Sequence, residues 1–247
     1  MAIRLITIDF WNTLFDSSNG LERNNIRLNA FKTGIKELGL NLGESHFNEA
    51  INASWEYFNK FWKNDYRTPS TKETINFFCN YLKIPNNESF KYHLAKMFSE
   101  AVIIAPPKLI EGVKSSLEFL SKKYILAIIS DTGFSPGTIL KELLKRNEII
   151  QYFSAFSFSD ETGVSKPHPK AFLTILEKLQ YKAEESIHIG DIENTDIIGA
   201  KKIGMKAIKY SGDETAFLRN ENTKNTIADA DCKSWDEIIK VISSIDQ

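Results

Sequence analysis

The chain has 247 residues, of which 42% are hydrophobic and 26% charged, with a formal net charge of −1. That length supports one large domain, or a core carrying a sizeable insertion, around a substantial apolar centre. The balanced charge gives no sign of nucleic acid or an anionic membrane as a partner, no apolar run is long enough to cross a bilayer, and no secretory leader pattern opens the chain, so the cytoplasm is the expected compartment.

The first element is a strand from Ile3 to Ile8, where five of six residues are apolar or β-branched, as burial on both faces requires. It delivers Asp9 at its C-terminal end, followed by turn-forming residues. A long stretch from about Ser17 to Ala105 then changes to helical spacing. Leu28, Phe31, Ile35 and Leu38 repeat at threes and fours until Gly39, and Phe47, Ile51, Trp55, Phe58 and Trp62 do so between Glu44 and Asn64. Thr71 to Leu82 and Ser89 to Val102 give two more amphipathic helices. No strand interrupts these four, so they read as a helical subdomain, residues 17–105, inserted into a core made of 1–16 and 106–247.

Alternation resumes after Pro106-Pro107: a helix from about Leu109 to Lys122, the strand Tyr124 to Ile129 ending at Ser130, a helix from about Ser135 to Arg146, and a short Phe-Ser alternation at 153–158. Lys166-Pro167-His168-Pro169 opens a helix to about Leu179, with proline where a first turn needs no donor. Ser186 to Ile189 is a strand ending at Gly190-Asp191, a helix follows to about Ile203, Lys206 to Tyr210 is a strand, and Trp235 to Ile242 closes with an amphipathic helix. Glu214 to Asp231 is polar and weakly patterned, and is expected to be surface loop and short helix. The repeat predicts an α/β protein with a doubly wound parallel sheet covered on both faces. Cys79 and Cys232, far apart and outside any CxxC spacing, read as packing residues.

Ligands of open α/β sheets bind at the strands' C-terminal edge, and three strand ends here carry Asp9, Ser130 and Asp191, with Lys166 supplied from a loop between the second and third and Asp196 five residues beyond Asp191. The acids would repel one another if brought together uncompensated. A divalent cation resolves this, and oxygen ligands without a Cys or His cluster favour Mg²⁺, which usually accompanies phosphate substrates.

The stretch Asp9-Phe10-Trp11-Asn12-Thr13, the strand-ending Ser130, Lys166-Pro167 and Gly190-Asp191 with Asp196 resemble, in that order, the four motifs of the haloacid dehalogenase (HAD) superfamily, and the helical insertion resembles its C1-type cap. The resemblance implies a Rossmann-like core and a Mg²⁺-dependent hydrolase of a small phosphorylated molecule, monomeric or homodimeric. Asp9 would be the nucleophile, forming an aspartyl phosphate. Ser130 and the backbone of Trp11, Asn12 and Thr13 would hold phosphoryl oxygens, and Lys166 would neutralise charge. Asp9, the Trp11 carbonyl and Asp191 would hold the metal, with Asp196 in its shell or orienting that shell or Lys166.

Trp11 departs from the pattern, because most phosphatases of that family carry there a second Asp that protonates the leaving oxygen and activates water, and indole does neither. Three readings follow: a phosphatase whose leaving group needs little help or whose cap supplies the acid; a 2-haloacid dehalogenase, whose members place an aromatic there but lack the metal carboxylates; and a catalytically weak phosphate-binding module. Chemically plainer readings apply elsewhere. Asn12 suits a turn, His188 a satisfied core position, and His168 a structural one. Asp131 suits a local hydrogen bond or a substrate contact, and Glu193 a helix start or an approach to the metal. Trp55, Phe58 and Trp62 read as helix core, Tyr57, Phe61 and Tyr66 as pocket mouth or dimer contact, and Arg23 and Arg27 as a solvated face in preference to anion contacts.

Overall fold

The computed structural model describes residues 2–216 and 225–245. Its first strand, β1 (Leu5–Ile8), is buried throughout. Four helices follow: α1 (Gly20–Glu37), α2 (Glu44–Asn64), α3 (Thr71–Tyr81) and α4 (Glu88–Ile104). Local chemistry sets their ends. Gly39 takes a left-handed φ of 65° just past α1, Ser70 and Glu73 form a reciprocal capping box at α3, and Asn87 accepts from the Phe90 N–H at the start of α4, 2.9 Å.

The chain returns through α5 (Val113–Leu120), β2 (Ile125–Ser130), α6 (Gly137–Arg146), β3 (Phe153–Phe158), the short α7 (Ser159–Thr162), α8 (Pro169–Leu179), β4 (Ser186–Gly190), α9 (Ile198–Lys202), β5 (Lys206–Tyr210), β6 (Ala230–Cys232) and α10 (Trp235–Ile245). The strands form one six-stranded sheet in the order β3-β2-β1-β4-β5-β6, every neighbouring pair parallel. The pleat sorts side chains by alternate residues. Ile6, Ile8, Leu126, Ile128, Ile187 and Ile189 pack with α5, α6 and α10 on one side, while Leu5, Ala127, Ile129 and Ala207 pack with α8 and α9 on the other. The sheet is thus doubly wound, as the alternating pattern predicts. Its strand order reverses between β1 and β4, which opens a crevice at their C-terminal ends.

The four inserted helices bury a cluster of their own. Phe31, Phe47, Phe78 and Phe98 meet there, with Phe31 5.7 Å and Phe98 5.8 Å from Phe78, and Phe134 from the loop after β2 joins them.

Several expectations are corrected. The helix expected from Leu109 begins at Val113, because Gly112 stands at a φ of 80° and Leu109 instead bridges to Phe15. The helix expected after Asp191 opens as a π-helical turn, Glu193–Ile197, before α9. Of the expected loop and short helix over Glu214 to Asp231, residues 217–224 lie outside the described residues, and the end becomes part of β6. That three-residue edge strand is too short to show a period. In α2 the buried residues are Phe47, Ala50, Ile51 and Ser54. Trp55, Phe58 and Trp62 are not core: Trp55 is 41% exposed, and this stripe faces the loop after β2, where Trp55 packs on Phe134 at 4.9 Å. Tyr57 stacks on Phe77 at 4.4 Å and Phe61 lies under Arg67 at 4.1 Å, so both have partners within the chain. Arg23 and Arg27 are buried, at 8% and 7% exposure, and do not form a solvated face.

Candidate active site

Parallel pairing brings the strand ends level. Ile8 pairs with both Ile128 and Ile189, and the Asp9 N–H donates to the Ile189 carbonyl at 2.8 Å. Asp9 and Asp191 therefore leave adjacent strands side by side, with Ser130 at the end of β2. Asp9, Asp191 and Asp196 are all buried, and each offers a carboxylate oxygen lying within 4.8 Å of the others.

Lys166, 3% exposed, reaches into this group from the loop before α8. Its Nζ donates to Asp9 Oδ1 at 2.5 Å, to Asp196 Oδ1 at 2.5 Å and to the Ile129 carbonyl at 3.2 Å. Asp196 is held on every side. His188 Nε2 donates to Oδ1 at 3.0 Å, while the Ile192 N–H and the Thr195 hydroxyl reach Oδ2 at 3.0 and 3.2 Å. With both oxygens engaged by protein donors, Asp196 is arranged to position Lys166 more than to take a metal directly. His188 is a satisfied core histidine. Burial lowers its pKa despite Asp196, so the ring is neutral, and its Nδ1 lies 2.8 Å from the Thr7 hydroxyl.

The charges do not balance. Burial raises the Asp9 carboxyl to about 7 against the pull of Lys166, with Asp196 adding to the rise. Asp191 is pushed well up by burial and by the charges of Asp196 and Asp9. Asp131, partly buried, is pushed up to about 6 by burial against Lys166 and a hydrogen bond from Trp62. Asp196 alone is held low, because Lys166 and His188 outweigh its burial. Burial pulls on Lys166, but Asp196, Asp9 and Asp131 hold its pKa well above the usual range. One ammonium faces four carboxylates, so a divalent cation among Asp9 and Asp191 would suit both the charge and the all-oxygen donor set.

The loop after β1 is shaped by Asn12, whose φ of 55° makes the turn expected of it. Its side chain donates to Ser17 Oγ at 2.8 Å and Asp213 Oδ2 at 2.6 Å, and its N–H donates to the Phe15 carbonyl at 2.6 Å. Asn12 is thereby committed to the turn and offers no donor to a ligand, which corrects its expected place in the phosphoryl cradle. Among the described residues the buried Thr13 hydroxyl has no partner, and Ser130 Oγ makes only a 3.3 Å contact to the Asp131 carbonyl. The Trp11 indole packs edge-on to Phe10 at 5.2 Å.

Sequence reasoning left Asp131 open and missed its partners. Asp131 Oδ2 accepts from Trp62 Nε1 of α2 at 2.8 Å, and Oδ1 from the Lys166 N–H at 2.9 Å, tying the inserted helices to the lysine loop. Glu193 forms a buried ion pair with Lys209, 3.3 Å. His168 caps α8, its Nδ1 accepting from the Lys170 N–H at 3.2 Å.

A family model for the haloacid dehalogenase-like hydrolases matches residues 3–204. A glyceraldehyde 3-phosphate phosphatase of Pyrococcus furiosus is 38% identical over 112 residues, 44% of this chain and 45% of that protein, so the chain spans under half the length of this relative. Two solved structures share the fold over nearly the full length. A 2-haloacid dehalogenase of Pseudomonas syringae pv. Tomato matches with a TM-score of 0.69 and 20% identity, covering 98% of this chain and 99% of that one. The HAD-hydrolase YfnB of Bacillus subtilis, bound to magnesium, matches with a TM-score of 0.65 and 16% identity over the same shares.

Proposed function

Because this chain belongs to the haloacid dehalogenase-like hydrolase family, we propose that it is a Mg²⁺-dependent phosphatase of a small organophosphate, working through an aspartyl phosphate on Asp9. The observation that carries the reading is the surplus of buried carboxylate around Asp9 beside two weakly engaged or unengaged hydroxyls, Ser130 and Thr13. A dehalogenase that works without metal has no use for Asp191. The phosphatase name of the Pyrococcus relative supports the same choice.

In this reading Asp9, the Trp11 carbonyl and Asp191 hold Mg²⁺, which when bound neutralises charge on the carboxylates and the phosphoryl group. Ser130, Thr13 and the Trp11 and Thr13 N–H groups hold phosphoryl oxygens. An Asp9 oxygen forms a bond to phosphorus as the bond to the leaving oxygen breaks; that oxygen departs with the electron pair and takes a proton from water. Water then attacks the phosphorus of the acyl phosphate, releasing inorganic phosphate and restoring the Asp9 carboxylate. Lys166 neutralises developing charge, kept in place by Asp196. Trp11 gives no proton, so esters with good leaving groups are favoured. In this reading the described residues of 1–16 and 106–247 form the core that carries this chemistry, and 17–105 form the cap over it.

The test is release of inorganic phosphate from acetyl phosphate and p-nitrophenyl phosphate, with Mg²⁺ or EDTA, by wild type and Asp9→Asn. Turnover that needs both metal and Asp9 is expected, with Asp9→Asn slower by ~10⁴-fold or more. Chloride released from 2-chloropropionate in EDTA, without phosphate release, would replace this reading with the dehalogenase. Stoichiometric labelling of Asp9 without turnover would replace it with a binding module.

A further inference from the structure

Arg27 is a buried cation that the chemistry above does not use. It stands on α1 one turn beyond Arg23 and is 7% exposed. Arg23 is well provided for, donating to the carbonyls of Ser18 at 2.7 Å, Ala105 at 3.1 Å and Ser17 at 3.4 Å. Arg27 is not. Its one hydrogen bond among the described residues runs from Nη1 to Asn24 Oδ1, 2.9 Å, and its buried Nε has no partner. No carboxylate of the described residues forms an ion pair with it, and the charge that acts on it is Arg23, of the same sign. Burial, with that repulsion, pushes it down to about 9, which still leaves it cationic at neutral pH.

The rings of Phe134 and Phe98 lie 4.7 and 5.7 Å from the guanidinium. They offer cation–π attraction, but neither a counter-charge nor an acceptor for Nε. A buried charge of this kind is costly unless something pairs with it.

Its location indicates what that is. Arg23 grips Ser17 and Ser18, where the chain leaves the loop after β1. Phe134 closes the loop after β2, four residues beyond Ser130. Arg27 therefore stands on the helix that leaves the loop after β1 and packs on Phe134 of the loop after β2, the two loops that follow Asp9 and Ser130.

We propose that Arg27 recognises a second anionic group on the substrate, so that the site selects phosphate monoesters whose leaving group carries an oxyanion, a carboxylate or a further phosphoryl group. The assignment of the first anion to Asp9 and Ser130 rests on the phosphatase reading; the anion preference of Arg27 is measured apart from it.

The experiment is titration calorimetry on the full chain with Mg²⁺, in an Asp9→Asn background that prevents turnover, with and without Arg27→Gln or Arg27→Lys. The ligands are glycerol 3-phosphate, 3-phosphoglycerate, which replaces its terminal CH₂OH by carboxylate, and 1,3-propanediol bisphosphate. With Arg27 present, one or both doubly anionic ligands should bind ~10-fold tighter than glycerol 3-phosphate, and the tighter of the two identifies the carboxylate or the phosphoryl source. Arg27→Gln should reduce the preference to ~2-fold while leaving glycerol 3-phosphate affinity unchanged, and Arg27→Lys should keep part of it. Because Arg27→Gln removes an uncompensated buried charge, its melting temperature should stay level or rise.

Equal affinity for the three ligands, no binding by any, a preference that survives Arg27→Gln, or marked destabilisation by both Arg27→Gln and Arg27→Met would overturn the proposal. Failure of the phosphatase reading shows separately, as absence of phosphate release by the wild type.

Discussion

Replacing Gly190 by alanine probes how tightly the lysine and its acids are locked. A Cβ built on Gly190 lies 2.6 Å from both Cβ and Oδ1 of Asp196, whereas carbon contacts settle at ~3.5–4.0 Å. Asp196 must therefore withdraw by ~1 Å. Its bonds to Lys166, His188, the Ile192 N–H and Thr195 measure 2.5, 3.0, 3.0 and 3.2 Å, so such a retreat carries most of them out of hydrogen-bond range. Overpacking costs ~1–3 kcal/mol, and loss of one charged hydrogen bond adds ~1.5–3 kcal/mol. The sum, ~2.5–6 kcal/mol, corresponds to a fall in melting temperature of ~5–24 °C at ~2–4 °C per kcal/mol. Displacement of Lys166 should lower kcat by ~100-fold. Thermal unfolding and phosphate release would be measured on Gly190→Ala, Asp196→Asn and the double variant. Both single variants act through the same carboxylate, so the double variant should cost less than their sum. A Gly190→Ala protein that melts with the parent and keeps its activity, or strict additivity in the cycle, refutes the reasoning.

Lys166→Met leaves the buried Asp9 and Asp196 without their cation, and should destabilise the metal-free protein by ~3–5 kcal/mol in urea unfolding, with Mg²⁺ recovering part of the loss. Asp9 at about 7 and Asp131 at about 6 both sit above the ordinary 3.8, so the fold favours their protonated forms. Stability in EDTA should then fall as pH climbs from ~4 to ~7, the interval in which the unfolded chain binds fewer protons. Mg²⁺ must displace those protons, so its effect on the melting temperature should be larger at pH 8 than at pH 5; an equal effect at both would contradict the metal assignment. Trp62→Phe keeps the ring but removes the donor to Asp131, and should cost ~0.5–1.5 kcal/mol in stability and raise the pKa of Asp131, read by carboxyl-labelled NMR. Without an acid at position 11, kcat/KM over a series of aryl phosphates should fall steeply as the leaving phenol becomes less acidic; a flat series would show that another group supplies the proton.

What the sequence reveals of this molecule follows how local each determinant is. Burial on both faces forces a continuous apolar run, so β1, β2 and β4 are plain from composition, and the residues ending them come with them. Asp9, Ser130 and Asp191 are therefore visible before any contact is known. β6 is three residues on an edge, and no period can show in so short a run. The stripe Trp55, Phe58 and Trp62 has helical spacing, but spacing does not say which of two neighbours a face meets, the rest of the insertion or the loop after β2. Arginines one turn apart look alike whether solvated or buried. Asp213 reaches Asn12 across 201 positions of chain, and nothing near either residue signals that pairing.

The same distinction explains which part of the site is tuned. The strand ends fix where the carboxylates stand, because the parallel register leaves them no choice. Their protonation is set first by burial and then by groups that arrive from elsewhere: Lys166 from a loop, His188 from within β4, and Trp62 from the insertion through Asp131. Trp62 and the Lys166 N–H bind opposite oxygens of one carboxylate, so movement of α2 away from the sheet would remove a bond that favours the charged form of Asp131. Asp131 in turn favours the charged form of Lys166 and disfavours that of Asp9. The position of the inserted helices is thus coupled electrostatically to Asp9 through the Asp131 side chain. That gives Asp131 a consequence for reactivity without requiring that it touch the substrate.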